Sequence, residues 1–396
     1  MKVVFGADAL LRPLSGIGIY SAELARALNK THAIKDLRFF AHGLFLHENL
    51  ITSDVIDPPG QHLGEERRRS FPKHLRALST VRKGLSSAAF APYLYRAVMP
   101  IIERIQLSGL DDYIFHSPNY ILPRFGGISV VTFHDLSIQR FPQFHPIPRV
   151  KLLQKQMELS ITRADHIITD TEMVREEVVA YYGLPAAKVT AIPLAASPGY
   201  KPRAGEACRN VLDKFNLEYK SFFLFVSTIE PRKNILRICE AYSDLRKTTN
   251  ITYPIIFVGD EGWSSEAEHH QIRELESRGW ARYLRFVDLP TLQVLYSSAR
   301  ALVFPSIYEG FGLPALEAQQ SGTTVVTSLG SAMAEFVSDS DVLVDPFDVS
   351  DIKRAMQVIA ETDENCLQER GTLPADELSW AKTANATIGV YSALSN

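Results

Sequence analysis

The chain has 396 residues, enough for two to three domains, and its 42 Lys+Arg against 45 Asp+Glu leave a net charge of −3 with 46% hydrophobic residues. That balance argues against a disordered or collagen-like chain and against a duplex-DNA binder carried by overall basic charge. Cys208, Cys239 and Cys366 form no C-x-x-C pair and no metal-ligand spacing, which argues against a disulfide framework or zinc finger and suits a reducing cytoplasm.

The N-terminal run Met1-Lys2-Val3-Val4-Phe5-Gly6-Ala7-Asp8 is too short and too soon charged for a signal peptide, and reads as a first buried strand. Short β-branched or aromatic runs predict further strands over 113–116, 129–133, 166–169 and 189–193. A second series follows over 222–227, 254–258, 283–287, 301–304, 324–327 and 342–344. Between them lie helical patterns such as Tyr20/Leu24/Leu28 and Ile235/Ile238/Tyr242/Leu245. Such alternation predicts an α/β protein with parallel sheets, helices on both faces, and ligands at the carboxyl ends of the strands.

The Pro/Gly/Ser-rich break Ala195-Ala196-Ser197-Pro198-Gly199-Tyr200-Lys201-Pro202 divides the series into two doubly wound, Rossmann-like domains, 1–200 and 201–376, facing each other across a cleft. A terminal helix over 377–396 has no strand after it. The apolar stretch 86–102 is broken by Pro92, Arg96 and Pro100, so no bilayer span is expected and the protein is placed in the cytoplasm.

Residues 67–102 interrupt the alternation. Arg67, Arg68, Arg69, Lys73, Arg76, Arg82, Lys83 and Arg96 stand there without an acid, interleaved with apolar residues. The segment reads either as a solvated helical insertion or as a basic amphipathic surface for anionic lipid or a diphosphate-bearing acceptor. Nucleic acid is not an expected partner.

The strongest chemical signal is Pro305-Ser306-Ile307-Tyr308-Glu309-Gly310-Phe311-Gly312-Leu313-Pro314-Ala315-Leu316-Glu317. A strand runs into a glycine loop, and Pro314 stands where a helix begins. Glycines there let backbone N–H groups approach an anion at a helix N-terminus. Glu309 and Glu317 bracket the loop, too far apart to share a proton, so each is expected to hold a different part of one ligand.

In Val226-Ser227-Thr228-Ile229-Glu230-Pro231-Arg232-Lys233-Asn234, the last residue is expected to N-cap the following helix. Arg232 and Lys233 then project two cations where a helix start disfavours them, a mismatch that an anion such as a diphosphate resolves.

In Ser15-Gly16-Ile17-Gly18-Ile19-Tyr20 the dinucleotide fingerprint fails, because Ser21 replaces its third glycine, yet the backbone could still approach a phosphate or sugar. His134-Asp135 and His116-Ser117-Pro118-Asn119 each follow a strand at its carboxyl end, and the latter is a candidate lining for the acceptor side. Asp339-Ser340-Asp341 reads as a polar turn rather than a metal site, and no metal is expected.

Together these motifs resemble family-4 glycosyltransferases of the GT-B architecture, over nearly the whole chain. The E-x₇-E pair with Gly310-Phe311-Gly312 inside it is the most specific element. Pro231-Arg232-Lys233-Asn234, Val344-Asp345-Pro346 and Leu378-Ser379-Trp380 follow in the family's order.

The resemblance implies a nucleotide sugar bound by the C-terminal domain and a final helix that crosses back onto the N-terminal domain. Glu317 would bind ribose hydroxyls, and Arg232 and Lys233 the diphosphate. Glu309 would contact the donor sugar, with His134 beside it. Gly16, Gly18, Thr228 and the backbone of Gly310, Phe311, Gly312 and Leu313 would complete the donor site, with Asn119 and Asp135 on the acceptor side.

It further implies a retaining, metal-independent transfer without a cofactor, by front-face displacement, with Glu309 as a nucleophile the alternative. Thr132-Phe133-His134-Asp135-Leu136 with Arg140-Phe141-Pro142 resembles bacterial mannosyltransferases that build O-antigen or similar polysaccharides. That implies GDP-mannose or a related GDP-hexose, a polyprenyl-diphosphate-linked glycan acceptor, and a position on the inner face of the cytoplasmic membrane. Asp288 stands where the family commonly has glycine, near the expected nucleobase. The competing readings are a sugar-nucleotide epimerase of the same architecture and a non-catalytic sugar-nucleotide-binding scaffold.

Overall fold

The computed structural model describes residues 1–11, 16–47, 91–338, 341–363 and 378–395, with the helix backbone alone at 91–97. Most interior strands are unbroken apolar runs, the pattern of parallel sheets covered on both faces. The first sheet comprises β1 (Lys2–Gly6), β2 (Asp36–Ala41), β3 (Leu44–Leu46), β4 (Ile114–Ser117), β5 (Ile128–Phe133), β6 (His166–Thr169) and β7 (Val189–Ala191). Its order is β3-β2-β1-β4-β5-β6-β7, with β2/β3 antiparallel and β2/β1, β1/β4, β4/β5 and β6/β7 parallel.

The second sheet comprises β8 (Phe223–Val226), β9 (Ile255–Val258), β10 (Ala281–Tyr283), β11 (Ala301–Phe304), β12 (Thr324–Ser328) and β13 (Val342–Val344). All of its pairs are parallel, in the order β10-β9-β8-β11-β12-β13. This is the doubly wound order in which the winding direction reverses between the first and fourth strands, here β8 and β11. In open sheets of this order, ligands bind beside the carboxyl ends of the two strands at the reversal.

Two expectations need correction. The hairpin β2/β3 is not among the predicted strands; it turns at His42-Gly43, where both residues take positive φ (48° and 76°), as a two-residue hairpin turn requires. The strand expected over 283–287 instead ends at Tyr283, because Arg285 adopts φ 44° and leaves the β region. Asp288 then caps the helix Leu289–Ser298, its carboxylate accepting from Thr291 N at 2.9 Å.

The chain folds into two compact units. One is Met1–Thr132 with Gln156–His166 and Ile388–Asn396; the other is Phe133–Lys155 with Ile167–Thr387. Within the first, a chain of buried polar groups joins the end of the helix Trp380–Ser395 to the sheet. Tyr391 Oη meets His116 Nδ1 at 2.5 Å, His116 Nε2 meets Thr132 Oγ1 at 2.9 Å, and Thr132 Oγ1 meets Tyr20 Oη at 3.1 Å. His116 is wholly buried, so the acceptor-side expectation for it gives way to a core role.

Of the basic stretch 67–102, residues 67–90 lie outside the described ones, and the remainder belongs to the helix Ala91–Gln106. That helix leaves Val98, Ile101 and Ile105 exposed. Among the described residues no helix is long and apolar enough to cross a membrane.

Candidate active site

The groups gathered around the ends of β8 and β11 all belong to the second unit. The backbone after β8 is stitched to the backbone after β9: Ser227 N donates to Val258 O (3.0 Å), Ile229 N to Asp260 O (2.9 Å) and Gly262 N to Ile229 O (3.0 Å). A Cβ on Gly259, which has φ 144°, would overlap the carbonyl of Ser227, so that close approach needs glycine. The chain then makes the 3₁₀ turn Pro231–Lys233.

Asn234 departs from expectation. It precedes the helix Ile235–Thr248 in the left-handed region (φ 65°), and its side chain does not cap that helix. Instead its Nδ2 donates to Pro305 O at 2.8 Å and Pro346 O at 2.7 Å, tying the loop after β8 to those after β11 and β13. Two buried carbonyls thereby gain a donor, which outweighs the lost cap.

Arg232, Lys233 and Glu309 meet directly. Lys233 Nζ donates to Glu309 Oε1 at 2.6 Å, as does Ser306 Oγ at 2.6 Å, while Arg232 Nη1 pairs with Glu309 Oε2 at 3.1 Å. Arg232 Nη2 also holds Glu230 Oε1 at 2.9 Å, and Nη1 donates to Tyr308 O at 2.5 Å. All four ionic groups lie in the interior, so the two cations are balanced by two carboxylates. Burial alone would raise the Glu309 pKa, but Arg232, Lys233 and Ser306 outweigh it and hold the carboxyl at about 2. Burial and the Arg232 charge pull Lys233 below its ordinary value, whereas Glu309 and Glu230 overcome burial to raise Arg232.

The glycine loop packs on the segment after β5. A Cβ on Gly310 would overlap the carbonyl oxygen of His134 and crowd Asp135 Cβ. Gly310 O in turn accepts from Thr171 Oγ1 at 3.0 Å. His134 Nδ1 meets Asp170 Oδ2 at 2.8 Å, which orients the imidazole; burial raises the Asp170 pKa and His134 offsets part of that. Asp170 is not among the residues singled out in the sequence, although an acid directly after β6, at a strand's carboxyl end, is the available signal. Asp135 accepts from Ser137 N and Oγ at 2.9 and 2.8 Å, holding a local turn.

Glu317 stands apart from Glu309. It is buried in the helix Leu313–Gln320, which opens after Gly312 (φ 94°) with Pro314 in its first turn, as expected. Burial raises its pKa to about 7, with the hydroxyls of Tyr296 and Tyr200 easing it back. Those two rings meet edge to face, centroids 5.4 Å apart. Phe311 stacks on Phe336 at 4.9 Å, Leu313 is half-buried, and Thr228 is exposed after β8.

In the first unit, Gly16 opens the helix Gly16–Asn29 in open space, and Gly18 is buried within it. Asn119 folds on itself there, its Oδ1 accepting from Tyr120 N at 2.8 Å. Asp339 and Ser340 lie outside the described residues. Asp341, in the second unit, is engaged by Val325 N (2.8 Å), Ser338 N (2.8 Å), Ser338 Oγ (3.0 Å) and the Gln319 amide.

Two doubly wound, mainly parallel sheets, with a buried cluster of ion pairs at the switch point of the second, define a GT-B protein. A family model described as glycosyl transferases group 1 matches residues 211–370, and one described as glycosyltransferase family 4 matches residues 14–198. The chain is 33% identical to the O-antigen chain mannosyltransferase B of Escherichia coli over 401 aligned residues, covering all of both chains. Its fold is similar to that of WaaG, a glycosyltransferase involved in lipopolysaccharide biosynthesis (TM-score 0.66, 13% identity, 98% of this chain and 99% of that one). It is likewise similar to the sucrose-phosphate synthase of Thermosynechococcus elongatus (TM-score 0.65, 18% identity, 100% and 99%). The chain belongs to the family-4 glycosyltransferases, and is an enzyme of that class.

Proposed function

We propose that this enzyme transfers mannose from GDP-mannose to the glycan of a polyprenyl-diphosphate-linked acceptor in O-antigen assembly, on the cytoplasmic face of the membrane. The transfer retains anomeric configuration and needs no metal. The buried Arg232–Lys233–Glu309 cluster at the β8/β11 switch point carries this reading. Full-length likeness to an O-antigen mannosyltransferase supports the choice of sugar and pathway.

In the transfer, the bond between the sugar's anomeric carbon and the diphosphate oxygen breaks, and a bond to the acceptor oxygen forms on the same face. The acceptor's proton passes to the departing diphosphate. Arg232 and Lys233 stabilise the charge that develops on that diphosphate, in a site already oriented and short of water. Glu309 is poorly suited to attack the sugar. Both of its oxygens are engaged, and a pKa of about 2 makes it a weak base. It serves instead to fix the two cations, while His134, oriented by Asp170, lies beside the transferred sugar. Glu317 receives the ribose hydroxyls.

The test is incubation of the purified enzyme with GDP-mannose and a synthetic polyprenyl-diphosphate-linked oligosaccharide, followed by mass spectrometry and NMR of the anomeric linkage. One added mannose in α linkage is expected. Conversion of GDP-mannose without acceptor would instead favour the epimerase, and binding without turnover the scaffold.

A further inference from the structure

The helix Ile147–Arg163 buries Met157, Ser160 and Ile161, all of them in its second half. Its first half, Ile147–Lys155, buries nothing, although Ile147, Val150, Leu152 and Leu153 are large and apolar. Helices in proteins draw most of their stability from packing an apolar face. Here that packing is missing, for Ile147 is 70% exposed and Leu152 36%.

The helical repeat orders the exposed face. Ile147, Lys151 and Lys155 recur at every fourth residue, with Pro148 and Leu152 in the adjoining row, so apolar and ammonium groups share one surface. The charge of the segment has one sign. From 136 to 157 there is no Asp or Glu, whereas Arg140, Arg149, Lys151 and Lys155 stand there in a chain of net charge −3. Arg140 pairs with Glu177 at 3.6 Å, but among the described residues no carboxylate pairs with Arg149, Lys151 or Lys155.

The start of the helix is nonetheless fixed. Arg149 lies over the Trp263 ring at 4.9 Å, and Trp263 Nε1 donates to Phe144 O at 2.6 Å. Phe144 stacks on Phe141 at 5.8 Å, and Phe141 tilts onto Tyr308 at 5.2 Å. The exposed face is thereby held in a set position relative to the loop that carries Glu309.

Resting for its purpose on the reading of a lipid-linked acceptor, we propose that Ile147–Lys155 is a docking surface for an anionic lipid bilayer. Ile147 and Leu152 enter the boundary between head groups and acyl chains, as apolar residues of interfacial helices do. Lys151 and Lys155 lay their methylene stems along that boundary and place their ammonium groups on lipid phosphates. Docking there keeps the glycine loop close to the bilayer that anchors the acceptor's lipid.

Co-sedimentation of the full chain with vesicles of phosphatidylcholine, with or without phosphatidylglycerol, tests this surface. The variants are Ile147→Ser/Leu152→Ser, Lys151→Gln/Lys155→Gln and, on the other exposed apolar face, Ile101→Ser/Ile105→Ser. Each is also assayed for transfer to a water-soluble short-chain acceptor and to a polyprenyl-linked acceptor in vesicles. The wild type is expected to bind only the anionic vesicles, and less so as salt rises. The first two variants should each lose about tenfold in vesicle affinity and in transfer to the membrane-borne acceptor. Their unfolding temperature and their transfer to the soluble acceptor should not change. Vesicle binding equal to that of the wild type in these variants overturns the proposal, as does a loss confined to Ile101→Ser/Ile105→Ser. A wild type that dimerises without lipid and becomes monomeric in Ile147→Ser/Leu152→Ser also overturns it, by assigning the face to a second copy. Vesicle binding lost in both variants, with no transfer by the wild type to either acceptor, upholds the docking surface and overturns the acceptor reading alone.

Discussion

Lys233 Nζ lies 2.6 Å from Glu309 Oε1 although 76 residues separate the two in the chain. This pair joins the loop after β8 to the loop after β11, the two strands between which the winding of the second sheet reverses. Taking two charges out of water costs several kcal/mol per ion, and only good geometry and extra hydrogen bonds repay it. Ser306, Arg232 and Glu230 supply those bonds.

Removing one partner therefore leaves the other exposed to the full desolvation cost. Glu309→Gln should destabilise the fold by about 3 kcal/mol, as for other broken buried pairs. Lys233→Met with Glu309→Gln should lose less than the sum of the single changes. Urea unfolding of the four proteins checks this, and strict additivity would show that the two side chains are not coupled.

The Glu317 carboxyl gives a pH dependence of opposite sense to that of Glu309. Its pKa rises from 4.5 to about 7 in the folded protein, so the folded state binds a proton that the unfolded state has released. Stability from this group is full below about pH 4.5 and is lost as pH rises through 7. The loss is about 3 kcal/mol at most, at about 1.4 kcal/mol for each pH unit of the shift. Glu317→Gln should flatten the decline between pH 5 and 8 and unfold at higher temperature than the wild type at pH 8. A parallel decline in both proteins would remove Glu317 as its source.

Two glycines should respond oppositely to alanine. Gly310→Ala drives a methyl group into the carbonyl oxygen of His134, so it should unfold the loop or abolish transfer. Gly389 lies within the helix Trp380–Ser395 with nothing within 4 Å of an added Cβ. Gly389→Ala should therefore stabilise the protein by about 0.5–1 kcal/mol. Thermal unfolding together with a transfer assay compares the two.

Tyr391→Phe removes the hydroxyl that meets His116 Nδ1 at 2.5 Å. Loss of this buried hydrogen bond should cost about 1 kcal/mol. Chemical denaturation measures the loss, and an unchanged stability would show that the Tyr391–His116 bond contributes nothing to the fold.

Strand pattern and motif spacing carry much of the fold, because buried parallel strands are apolar runs readable without context. The glycine loop, with Ala301–Phe304 before it and Pro314 after it, is legible for the same reason. What escapes depends on partners distant in sequence. Asn234 looks like a helix cap until Pro305 and Pro346 are brought beside it. Tyr200 sits in a stretch that reads as a break, yet it is buried and acts on Glu317. His116 looks like a strand-end ligand until Tyr391, 275 residues on, meets it. The β2/β3 hairpin has a local signal in Leu37-Arg38-Phe39-Phe40-Ala41 followed by His42-Gly43, a glycine at the tip of two apolar runs.

Above all, Arg232 and Lys233 are assigned to hold the diphosphate of a sugar nucleotide. Calorimetric titration of GDP and GMP into the wild type and Lys233→Ala tests that assignment most directly. Tight GDP binding by the wild type is expected, with a loss of at least about tenfold in Lys233→Ala, larger for GDP than for GMP. Equal GDP affinity in the two proteins would contradict it.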